Sequence, residues 1–188
     1  MTNAQNIYVT GLAARGASTS FNVVSSNNDA TVVENVVFEE CVGTHMYARA
    51  FIVHNSFGNY ANPWPQIRDV LFLRCSGDSG SSEEEQETDS TKYGVLSGAM
   101  DMFAIVHNAY NCRAEDCVSI NPMHIGALVG GQDNNLFKPD NCGYLRHRVM
   151  AANWTTYARG FTAYSCTNTC YFKNCVADGV NVRSQFSG

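Results

Sequence analysis

The residues with the most chemical reach are histidines set in repeated surroundings. His54 sits in Ala48-Arg49-Ala50-Phe51-Ile52-Val53-His54-Asn55, and His107 sits in Asp101-Met102-Phe103-Ala104-Ile105-Val106-His107-Asn108. Aligned end to end, the two blocks place His54 and His107 at equivalent positions, one strand spacing apart. Two imidazoles so placed can bind a metal ion or share a proton-transfer role. Asp101 and Arg49 on the same blocks add a carboxylate and a guanidinium. The candidate catalytic set is therefore His54, His107, Asp101 and Arg49. The competing reading is that repeat symmetry simply sets like beside like near a turn.

Candidates for substrate contact come from segments between the repeats. Tyr60 and Trp64 lie in an insertion near 56–66 and offer rings on which a sugar can stack, or a cap over an apolar row. Trp154 lies in an insertion near 143–156 that also holds Tyr144, Arg146, His147 and Arg148. Arg159 follows Tyr157 in a lead-in that matches Tyr47-Ala48-Arg49. A third insertion, near 76–92, carries an acidic run that reads as a solvated loop, with low-affinity calcium binding as the alternative. No other cofactor is expected. Glu39, Glu40, Glu115 and Asp116 are acids on another block, with Leu73 and Arg74 on the coil between. They read as a charge ladder. A catalytic carboxylate pair is the alternative, since Glu40 and Asp116 would lie about 9.6 Å apart in backbone, against the 5 to 9.5 Å such pairs use.

The elements that position these residues are short and recurrent. Val36-Val37-Phe38-Glu39-Glu40-Cys41 is repeated by Val70-Leu71-Phe72-Leu73-Arg74-Cys75 and Cys170-Tyr171-Phe172-Lys173-Asn174-Cys175. Weaker copies end at Cys117 and Cys142, and Ile7 to Leu12 is a sixth, with leucine for cysteine. The second block recurs at 124–131 and 158–165, with an earlier copy at Phe21 to Ser25. One unit is about 24 residues, and each block alternates apolar and polar residues with period 2, as strands do. No long amphipathic helix interrupts them. The expected fold is all-β, a single-stranded parallel solenoid of about six coils forming a single domain over 1–188.

Alternation directs the positions five and three before the cysteine, and the cysteine itself, inward. In the second block it directs Phe51, Val53 and Asn55 inward, with Ala104, Val106 and Asn108 as their equivalents. Asn55 over Asn108 would form a short asparagine ladder. Ile52, Ile105 and Leu128 would form an outer apolar row, covered by a loop or by another chain. Most of the eight cysteines are expected to be buried free thiols.

These quoted repeats resemble the right-handed parallel β-helix of the pectin-lyase-like superfamily over most of Ile7 to Cys175, in architecture and not in any one enzyme family. The resemblance implies the handedness, and it implies a polysaccharide or glycan as partner. The paired aspartates of polygalacturonase-type hydrolases have no counterpart here. The functional expectation is polysaccharide binding or processing, by a lyase or glycoside hydrolase if it is an enzyme. A structural module of a fibre, capsid, tailspike or adhesin is the alternative.

A net charge of -5 without a basic stripe argues against nucleic acid as a partner. No apolar run is long enough for a membrane span. Met1 to Asn6 lacks the segments of a signal peptide. Strand-like sequence runs to both ends, so the chain is expected to be an excerpt of a longer protein or to self-associate.

Overall fold

A computed structural model describes residues 4–25, 32–46, 48–55, 67–80, 101–122, 124–131, 138–150 and 159–179. The first coil contains β1 (Ala4–Thr10), β2 (Ala13–Arg15) and β3 (Thr19–Ser25), and the second β4 (Val33–Glu39), β5 (Val42–Thr44) and β6 (Arg49–Asn55). The third contains β7 (Ile67–Leu73), β8 (Ser76–Asp78) and β9 (Asp101–Val106). In the fourth, β10 (Ala109–Tyr110) and β11 (Arg113–Glu115) precede β12 (Val118–Ile120) and β13 (Ile125–Gly130). The fifth has β14 (Gly143–Leu145), β15 (Arg148–Met150) and β16 (Arg159–Tyr164), and β17 (Tyr171–Lys173) and β18 (Val176–Asp178) follow.

All pairings are parallel and join like strands of successive coils. The sheet orders are β1-β4-β7-β11-β14-β17, with β10 also on β7, then β2-β5-β8-β12-β15-β18, and β3-β6-β9-β13-β16. The chain is therefore an all-β parallel solenoid. The third sheet has one strand fewer than the second among the described residues, so closed coils number fewer than the six expected.

The inward columns follow the predicted spacing. Val36, Val70, Cys112 and Cys142 form one buried column, Phe38, Phe72, Ala114 and Tyr144 a second, and Cys41, Cys75 and Cys117 a third. The third column continues with His147, because Arg148 donates its backbone N–H to the Cys117 carbonyl and Val176 to that of His147. Cys142 is thus not the repeat cysteine of its coil. It stacks between Cys112 and Cys170, whose backbones it meets at Gly143 and Tyr171. All eight cysteines are free, and five are buried.

Each corner is made by a stack of residues in the left-handed region. Just before the third column stand Gly11, Glu40, Arg74, Asp116, Arg146 and Asn174, with φ between 50° and 66°. The chain must turn sharply here to pass from the first sheet to the second, and polar side chains tolerate that turn better than branched ones. A second left-handed stack holds the asparagine ladder. Asn35 donates to Asn6 at 3.2 Å, Asn111 to Asp69 at 2.5 Å, and Asn141 to Asn111 at 3.1 Å. The ladder stands at this corner, while the side chain of Asn55, a member of the expected one, lies outside the described residues.

Two expected insertions begin too early. Ser76–Asp78 is β8, and Gly143–Leu145 and Arg148–Met150 are β14 and β15, so Tyr144, Arg146, His147 and Arg148 are parts of the coil. Tyr60, Trp64 and Trp154, with most of the acidic run, lie outside the described residues.

The column of acids and arginines is the predicted charge ladder. Going up the corner, Glu40, Arg74, Asp116 and Arg146 alternate in sign. Arg74 Nε donates to Glu40 at 3.1 Å and its other end to Glu39, while Arg146 grips Asp116 through both nitrogens at 2.6 and 2.7 Å. The bidentate contact holds the Asp116 carboxyl below its usual range, with further help from Arg146 and Arg74 charge. Arg74 between them makes Glu40 and Asp116 an ion-paired stack and not a free catalytic pair. R74E would leave three acids in succession. We expect it to lower stability at low salt, with much of the loss recovered in about 0.5 M NaCl, read by urea unfolding at both ionic strengths.

Candidate functional site

The third sheet positions the candidate catalytic residues, and its register differs from the expected one by a residue. Arg49 pairs with Asp101, Phe51 with Phe103 and Val53 with Ile105, which sets His54 beside Val106 and not beside His107. Inside and outside also fail to alternate early in these strands. Ala50 and Phe51 are consecutive, yet both join the main core, as do Met102 and Phe103. Alternation resumes only after these pairs. Phe103 and Ile105 therefore face inward where Ala104 and Val106 were expected.

The outer apolar row changes accordingly. Ile52, Ala104 and Leu128 are in register and, with Val106 and Ile125, form a second buried cluster. This row is buried within the single chain.

At the head of the strands, an outer column runs Thr19, Arg49, Asp101, Ile125, Arg159. Asp101 is only 3% exposed. Its Oδ2 lies 3.7 Å from Arg49 Nη2, and its Oδ1 lies 3.0 Å from His124 Nδ1. A carboxylate this buried is stable only with such partners. It fixes two half-exposed polar side chains, the Arg49 guanidinium and the His124 ring, on one face of the sheet. Arg49 Nε is itself buried without a hydrogen-bond partner.

His107 follows β9 with φ at 56°, and its backbone N–H donates to Gly130. Burial depresses its pKa to about 4, with the charges of His54 and Arg49 adding to the effect. At neutral pH its imidazole is uncharged and can accept a proton or a hydrogen bond. The structure thus brings Arg49 and Asp101 into contact and sets His107 within electrostatic reach of His54 and Arg49. Arg159 stands two rungs from Asp101 in the same column.

His124 is the member that sequence reasoning missed. It opens the third copy of the block, one position before the strand, as Asp101 opens the second, but repeat position alone does not mark it as that carboxylate's partner. The described residues contain no group of three or more His, Cys, Asp or Glu side chains arranged to hold a metal ion. Asp101 is the sole carboxylate among the described residues of the third sheet, and it is engaged by both Arg49 and His124.

No protein family, curated protein or solved structure matches this chain.

Proposed function

We propose that this chain is a polysaccharide-binding solenoid of pectin-lyase-like architecture, with its sugar site on the outer face of the third sheet at Arg49, Asp101, His124 and Arg159. The observation that carries this reading is the buried Asp101 holding two half-exposed polar side chains, Arg49 and His124, in fixed orientation. Polar side chains fixed before binding lose little entropy when they engage ligand hydroxyls. Rungs about 4.8 Å apart also match an extended polymer better than a compact ligand. Binding is favoured over cleavage because paired-carboxylate hydrolysis needs a second acid, and the described residues of this sheet supply none.

The test is affinity electrophoresis in gels containing acidic or neutral polysaccharides. We expect retardation by at least one polymer, weakened tenfold or more in R49A and in the R49A/R159A pair. R74A, on a different sheet, is expected to be retarded as the parent is. Equal retardation of R49A and the parent would remove the site, and no retardation by any polymer would remove the function. The latter result favours the structural-module reading.

A further inference from the structure

Two of the eight free thiols, Cys166 and Cys170, are both half-buried and side by side. Five of the others are buried. Cys175 is half-buried, but its thiol donates to the Tyr144 and Lys173 carbonyls at 3.5 and 3.4 Å, in a different column. Cys166 and Cys170 flank the turn that leads from β16 into β17. The Cys170 N–H donates to the Thr167 carbonyl at 3.2 Å and closes this turn. The ends of such a turn lie within about 7 Å of each other. Cys166 immediately precedes it, and its side chain meets the Cys170 thiol in a hydrogen bond.

The preceding coil holds the turn in place. The Thr167 N–H and the Cys170 thiol both donate to the Pro139 carbonyl, each at 3.2 Å. The hydroxyls of Thr169 and Thr167 donate to Asp140 Oδ1 and hold its carboxyl below the usual range. Two groups held together before reaction close a bond far faster than two free ones. Cys142 stacks against Cys170 from the coil before, but it is fully buried, so a dissolved oxidant meets the outer pair first.

We propose that Cys166 and Cys170 form a reversible disulfide, which makes the turn between β16 and β17 a redox-modification site. The co-reactant is a small dissolved disulfide, such as glutathione disulfide. One thiolate of the pair attacks a sulfur of that disulfide and releases one glutathione thiolate. The second attacks the mixed disulfide at its protein sulfur and releases the other. Two protein thiols are oxidised, one small disulfide is reduced, and the two protons end on the released glutathione. The turn exchanges the Cys170 contact with Pro139 for a covalent bond.

Burial pushes both thiols above their ordinary range, and the Lys138 charge offsets this only in part at Cys166. The thiolate fraction is therefore small at pH 7, and closure should quicken about tenfold per pH unit above it. This inference is independent of the sugar site.

Peptide mapping decides it, using the full chain incubated with glutathione disulfide at about pH 8 and then alkylated. Trypsin releases residues 160–173 as one peptide whose only cysteines are Cys166 and Cys170. We expect that peptide to lose two hydrogens and escape alkylation, and dithiothreitol to restore both thiols. In C166S no internal bond should form, and Cys170 should carry glutathione instead. A parent peptide that stays fully reduced overturns the proposal, as does one that retains glutathione. A bond from Cys170 to Cys142 overturns it too.

Discussion

Replacing His147 with cysteine is expected to cost stability at pH 7 and to return it at pH 4. His147 occupies a column otherwise filled by Cys41, Cys75 and Cys117, and it is 1% exposed. Phe103, Tyr144 and Phe161 meet its ring edge-on at 4.8, 5.2 and 6.2 Å. Ser119 Oγ donates to the Gly126 carbonyl at 2.7 Å, so its 2.9 Å contact with His147 Nε2 requires that Nε2 carry the proton. Nδ1 is then a bare acceptor, and it has no partner.

A second proton would put a charge in this apolar corner, which is why burial lowers the His147 pKa to about 3. The unfolded chain protonates near 6.5 and the folded chain does not, so below that pH the unfolded state binds more protons. Stability therefore falls as pH falls from about 6.5 towards about 3. At pH 4 the penalty from this residue is roughly 3 kcal/mol. His107, also depressed, adds to it in the same direction between about 6.5 and 4.

In H147C the smaller side chain leaves a void worth roughly 1–2 kcal/mol at pH 7. The pH dependence of unfolding between 7 and 4 should lose about one proton relative to the parent. Urea unfolding across that range measures it. Parallel curves for parent and variant would show that His147 is not held neutral.

The second large effect concerns where in the stack a phenylalanine is removed. Phe103 is fully buried, stacked on Phe51 at 4.6 Å and edge-on to Phe72 at 6.1 Å. Phe172 is half-buried at the open end, stacked on Tyr144 at 5.4 Å. In a solenoid each coil contacts only its neighbours, so stability is close to a sum of coil and interface contributions. F103A breaks a coil with neighbours on both sides and is expected to cost roughly 3–5 kcal/mol. F172A affects one terminal interface and should cost less than half as much. Amide exchange should then show protection lost on both sides of β9 in F103A, but only from β14 onward in F172A. Equal costs and a uniform loss of protection would show that the solenoid unfolds as a single unit.

The columns of the first block were legible because their spacing is regular. Ile7, Val36 and Val70, each five residues before the corner, obey one period-2 rule that any apolar residue can satisfy. The errors arose where residue identity replaced spacing as the guide. Ending a repeat at Cys142 followed the cysteine, although the coil is read correctly as Cys142 to His147, matching Cys112 to Cys117 and Cys170 to Cys175. Matching Ile-Val-His-Asn at 52–55 to 105–108 followed four identical residues and slid the register by one. That both Ala50 and Phe51 turn inward has no signature in residue type.

Of the site, Arg49 and Asp101 were found because charged residues at a strand head stand out against apolar blocks. Their direct contact was not foreseen, since the slipped register set Ala48 beside Asp101. His124 heads its block just as Asp101 heads its own, and a shared repeat position does not by itself signal a side-chain contact.

The alternating corner of Glu40, Arg74, Asp116 and Arg146 has a consequence for how such a chain finds its fold. Every coil has nearly the same cross-section, so shape alone barely distinguishes docking on the adjacent coil from docking on the next but one. Sign does distinguish them. Correct docking sets opposite charges together, whereas skipping a coil sets Glu40 beside Asp116, or Arg74 beside Arg146, and like charges directly opposite are repulsive. The column works as a parity code, and a growing stack that drops a coil is penalised at the corner before its core has closed.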